Sequence, residues 1–119
     1  MEKPHKTLEA WKQSMELVIE IYKATKDFPS QEIYGITNQV RRAAVSIPSN
    51  IAEGAARQTK KEFTNFPHIA QGSLSELDTQ IEITSRLGYL DVRCRKSLDE
   101  KMEPIDKMIT GLIRHLSKK

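Results

Sequence analysis

The chain of 119 residues is one domain's worth of sequence, and no signal or membrane segment is expected in it. Its composition is 38% hydrophobic, 6% aromatic and 29% charged, with five glycines and five prolines; this suits a soluble helical protein and excludes a turn-rich all-β fold. The net charge of +3 permits contact with nucleic acid without demanding it, and the single cysteine, Cys94, rules out an intrachain disulfide or a cysteine-based zinc site.

Leu8, Trp11, Met15, Val18, Ile19 and Tyr22 recur at steps of three and four, which predicts an amphipathic helix over about 7–27 with Thr7 as its N-cap. Pro29 disfavours helical geometry at Phe28 and ends it. Ser30 is the expected cap of a second helix over about 30–57, with Glu32 in its first turn. The stripe Val40, Ala44, Ile47, Ile51 keeps its phase through Pro48, so a kink is expected there and not a break.

Thr59 to Glu62 reads as a capping box that opens a third helix over about 59–88, closed by Gly88. Its stripe includes Phe63, Phe66, Leu74, Leu77 and Ile81, and Pro67 is expected to kink it. A fourth helix over about 92–117 carries Leu98, Met102, Ile105, Leu112 and Leu116, with Pro104 in its early turns. Four amphipathic helices with short connections predict an all-α fold, an antiparallel up-down-up-down four-helix bundle spanning 1–119 as a single domain. Helix two is rich in small residues, and helix three adds Gly72 and Ser73, so these two are expected to be the tightest pair.

The search for chemistry is mostly negative. His5, His68 and His115 have no helical spacing that would make a metal pair, and no nucleotide-binding or nucleophile motif is present. No metal, cofactor or enzymatic activity is expected. Glu53 and Glu76 can approach one another across helices, but pairing with Arg41 or Arg42 is the better reading, since an arginine fork meets a carboxylate at two points and fixes register. Cys94 reads as a small packed side chain and not as a reactive thiol. From Arg93 to the end there are eight basic and four acidic residues, so the excess charge sits in the last helix. In an antiparallel bundle Arg57, Lys60 and Lys61 share one end with Arg114, Lys118 and Lys119, and that patch can neutralise phosphates. No interleaving of aromatic with basic residues, of the kind that stacks bases, is visible along the chain.

The segments "LEAWKQSMELVIEIYKATKDFP", "EIYGITNQVRRAAVSIPSNIAEGAAR", "IAQGSLSELDTQIEI" and "LGYL" resemble the four-helix-bundle family encoded by intervening sequences of bacterial 23S ribosomal RNA genes. The resemblance implies a small bundle that assembles into a homopentamer in the cytoplasm, with no established enzymatic activity. It also implies a relation to the accessory variability protein of diversity-generating retroelements, which binds nucleic acid and a reverse transcriptase. The expected function is therefore a homo-oligomeric scaffold that binds RNA or DNA. The alternative is a protein-interaction module paired with an operon-encoded partner, without nucleic acid.

Overall fold

A computed structural model describes residues 3–118, and among them there are helices and no strands. A short 3-10 turn, Pro4–Thr7, precedes helix α1, Glu9–Thr25; a second, Ser30–Glu32, precedes α2, Ile36–Ala55; then follow α3, Lys60–Arg86, and α4, Val92–Ser117. The molecule measures 47 × 22 × 22 Å. Helices are about 10–12 Å across with side chains, so the short dimensions each hold two helices side by side.

Each helix packs on its neighbours in the chain, and α1 also packs on α4, closing a ring of four around one core. The centre of that core is aliphatic: Leu17 and Ile21 from α1, Val40, Ile47 and Ile51 from α2, Leu77 and Ile81 from α3, Ile105 and Ile109 from α4, all without solvent exposure. Burying each such side chain contributes about 1.5–3 kcal/mol. In α2, α3 and α4 the buried positions largely follow the expected stripes, although Phe63, Phe66 and Leu112 are half-buried and Pro67 and Gln80 of α3 are buried outside its stripe. In α1 they do not. Its core face is Ala10, Ser14, Leu17, Ile21 and Thr25, while Met15, Ile19 and Tyr22 are turned outward. The helix carries two apolar stripes, and the smaller side chains occupy the inner one, with the Ser14 and Thr25 hydroxyls satisfied by carbonyls one turn back.

The helix ends show which local signals operate. Thr59 accepts a hydrogen bond from the Glu62 amide at 3.2 Å, as the capping box requires. Asp91 caps α4 by accepting from the Cys94 amide at 2.7 Å, so α4 starts well before the Ser97 capping signal. Gly88 has φ of 82°, and the Tyr89 amide reaches back to the Thr84 carbonyl at 2.9 Å, a Schellman closure that needs this left-handed residue. Two expected caps fail. Thr7 bonds the Pro4 carbonyl and closes the 3-10 turn, and Ser30 opens another 3-10 turn in place of α2. Glu32 is diverted to accept from the Tyr89 hydroxyl at 2.8 Å, and α2 begins only after Gly35.

α2 continues as a helix through Pro48, which leaves the Ala44 carbonyl without its usual donor. α3 and α4 likewise continue through Pro67 and Pro104. The pair α2 and α3 shares the most extensive contact in the bundle. Gly54 is the point of closest approach: a methyl there would lie 2.8 Å from both the Phe66 Cβ and the Phe63 ring. Ser46 and Ser73 bond each other at 2.8 Å further along the same seam, so as α2 runs forward its partners on α3 run backward. Gly72 has no such role; it is exposed, with open space where a side chain would stand.

Candidate nucleic-acid interface

The basic end is assembled by helix register. The Gln71 side chain donates to the Thr110 hydroxyl at 2.9 Å and to Asp106 at 3.2 Å, which sets α3 against α4. From there Lys60 lies about 16 Å back along α3 and Lys118 about 12 Å onward along α4, at 1.5 Å per residue. Both runs lead to the same end of the bundle, the end that also holds Arg57 after α2. Lys60 and Lys61 lie with Glu62 in the exposed first turn of α3, at the positive pole of the helix, where the Glu62 amide is taken by Thr59. Arg114 is exposed in the last turn of α4, Lys118 is its C-cap, and Lys119 lies outside the described residues.

These cations are not equally available. Arg57 donates to Glu53 at 3.0 Å, and its guanidinium lies 4.7 Å over the Phe66 ring, so it is held and partly neutralised. None of the ion pairs among the described residues involves Lys60, Lys61, Arg114 or Lys118. At the opposite end Arg86, Arg93, Arg95 and Lys96 flank the turn between α3 and α4, and two of them are arranged differently. Arg95 bonds Glu82 at 2.9 Å and Asp99 at 3.1 Å, and Arg86 bonds Glu82 at 2.8 Å. The hydrogen bonds from Arg86 and then Arg95 hold the Glu82 carboxyl below the usual carboxylate range. Arg86 and Arg95 are thus spent on internal ties, while the exposed Arg93 and Lys96 beside them enter no ion pair among the described residues.

The expected pairing of Glu53 and Glu76 with Arg41 or Arg42 is not formed. Glu53 is taken by Arg57 on its own helix, four residues on. Glu76 is exposed and lines a cleft with Arg42 without an ion pair. Arg41 does join two helices, but through Nε to the Thr25 hydroxyl at 2.9 Å and through stacking on the Tyr22 ring at 4.7 Å. Burial pushes the Cys94 thiol up, with Asp91 and Glu20 adding to the shift, so its reactive thiolate is disfavoured. Among the described residues no three His, Cys, Asp or Glu side chains gather as a metal site.

One grouping was invisible along the chain. Tyr22 at the end of α1 and Tyr34 just before α2 are brought to one groove with Arg41 and Arg42. The tyrosines are twelve residues apart on separate elements, and the outward turn of the α1 stripe is what places Tyr22 there.

Four amphipathic helices closed on one aliphatic core, with one group of unpaired cations where α3 begins and α4 ends, define a small four-helix bundle with a basic end. The family model described as 23S rRNA-intervening sequence protein matches residues 6–111, and the chain belongs to that family. The fold is similar to a crystal structure of a protein with unknown function from the S23 ribosomal protein family of Bacteroides thetaiotaomicron VPI-5482. The TM-score is 0.78 at 24% identity, covering 88% of this chain and 98% of that one. A comparison with curated proteins finds no match. No helix among the described residues is long and apolar enough to cross a membrane.

Proposed function

We propose that this protein is a non-enzymatic, homo-oligomeric scaffold that binds RNA or DNA through its basic pole. The observation that carries the reading is the set Lys60, Lys61, Arg114 and Lys118, at one end and engaged in no ion pair among the described residues, beside the positive pole of the α3 N-terminus. Phosphate groups fit such a surface, and their binding weakens steeply with salt. Self-association, which repeats the pole around an axis, multiplies its field; the pentamer is the form that the family resemblance implies. A reverse transcriptase or another operon-encoded protein is the protein partner that the retroelement relation would bring. Gel shifts with structured RNA and duplex DNA at low and moderate salt test the reading. Replacing Arg57, Lys60 and Lys61 with glutamate is expected to weaken binding to all sequences alike, because phosphate contacts do not read bases. No complex at low salt with micromolar protein refutes it.

A second reading, a protein-interaction module without nucleic acid, is favoured by the outward stripe of α1, where Met15 is 41% and Ile19 54% exposed. A partner recovered stably after nuclease treatment supports it. Light scattering that finds a monomer at working concentration removes self-association from both readings.

A further inference from the structure

The groove between the end of α1 and the start of α2 encloses about 700 Å³ and is lined by Tyr22, Tyr34, Asn38, Arg41 and Arg42, between the aliphatic walls of Ile33 and Val45. Among the described residues no carboxylate lines it. Tyr34 is 94% exposed, an extreme value for an aromatic ring, with both faces open. Tyr22 is 43% exposed, and its ring is backed by the Arg41 guanidinium at 4.7 Å, which orients the ring and makes its outer face a firm platform. Arg41 spends its Nε on Thr25, and its terminal nitrogens enter no ion pair among the described residues. Arg42 is exposed and faces Glu76 across the adjoining cleft without pairing with it.

We propose that this groove binds single-stranded RNA, with bases stacked on Tyr34 and on the outer face of Tyr22 and phosphates held by Arg41 and Arg42. The chemistry follows from the lining. Two positive charges with no acid between them select an anion, and flat rings with free faces select the π-faces of unpaired bases. Duplexes fit poorly, since their bases are already stacked on one another. The Asn38 carboxamide adds a group that can engage a 2′-hydroxyl, which directs the site to RNA over DNA. The inference rests on the nucleic-acid reading above and adds to it a site towards the other end of α2, with Arg41 and Arg42 about 23 Å from Arg57 along the helix at 1.5 Å per residue.

The test is fluorescence anisotropy with a labelled oligouridine of about 12 nucleotides, compared with oligothymidine and with a duplex of the same length. Tyr34 makes no hydrogen bond among the described residues and is nearly free of packing, so Tyr34→Ala leaves the fold intact, which circular dichroism verifies. Tyr34→Ala is expected to weaken oligouridine binding at least about fivefold, and Tyr34→Phe to retain it. Arg42→Ala is expected to reduce the slope of log K against log salt by about 0.7, the loss of one phosphate contact to a single strand. Undiminished binding by Tyr34→Ala, while the Arg57, Lys60 and Lys61 charge reversal abolishes binding, overturns the groove and leaves the basic pole standing. Failure of the wild-type protein to bind any of the three ligands overturns the underlying reading as well. Equal affinity for the duplex overturns the stacking argument, and equal or tighter binding of oligothymidine overturns the assignment to RNA. A change of subunit number in Tyr34→Ala without a change in RNA affinity marks the groove as a contact between copies and overturns the proposal.

Discussion

Alanine at Gly54 sets two effects of known size against each other. Glycine inside a helix costs about 1 kcal/mol relative to alanine, so the substitution should stabilise α2 if nothing else intervened. The new methyl, however, lies 2.8 Å from Phe66 Cβ and from Phe63 Cδ1. Carbon atoms in good contact stand about 3.5–4.0 Å apart. The Phe63 ring can swing aside, but Phe66 Cβ is fixed by the α3 backbone, so α2 and α3 must separate by roughly 0.7 Å or more to reach that distance. Overpacking of this kind costs about 1–3 kcal/mol, and the balance is a net loss of about 1 kcal/mol. In a domain of this size that lowers Tm by about 4 °C. Gly72→Ala supplies the control. It is the same substitution inside a helix, with nothing within 4 Å of the new carbon, and is expected to raise stability by about 0.5–1 kcal/mol. Urea denaturation followed by circular dichroism, at equal slopes, measures both. A Gly54→Ala protein as stable as Gly72→Ala refutes the close-approach argument.

Three further outcomes are expected. Tyr89→Phe removes the hydroxyl bonded to Glu32 and should lower unfolding free energy by about 1 kcal/mol in the same denaturation assay. Thr59→Ala removes the α3 cap and should cost about 0.5–2 kcal/mol, while Thr59→Ser restores most of it. The Glu82 carboxyl is held low by Arg86 and Arg95, so its stabilisation is present at neutral pH and is lost as pH falls through its depressed folded value. Thermal melts across acid pH should therefore show wild type and Glu82→Gln converging as pH falls below the usual carboxylate range.

The helices were legible wherever one apolar stripe outweighed the others. In α2 the phase of Val40, Ala44, Ile47 and Ile51 carried the reading across Pro48, and Thr59 with Glu62 marked the start of α3 from local chemistry alone. α1 was misread because Met15, Ile19 and Tyr22 form the larger stripe, and periodicity does not say which of two stripes faces inward. The start of α2 was misread because Glu32 is claimed by Tyr89, 57 residues away, and no local signal announces that partner. Lys60, Lys61 and Arg114 could be placed at one pole from antiparallel order. The Tyr22, Tyr34 and Arg42 groove could not, because it depends on which way α1 is rolled.

The two connections at the Tyr34 end are bolted to each other. The Phe28 ring packs 5.5 Å from that of Tyr89, Tyr89 holds Glu32, and Leu90 is 8% exposed beneath them. At the opposite end Ala56, Arg57, Gln58 and Thr59 are all exposed. The connections at one end are thus tied together by side chains, while the link between α2 and α3 at the other end is exposed, and the amide protons of that link should exchange fastest. That link leads directly into Lys60 and Lys61, so a polyanion gripping them should slow its exchange while the exchange of the tied connections is unchanged.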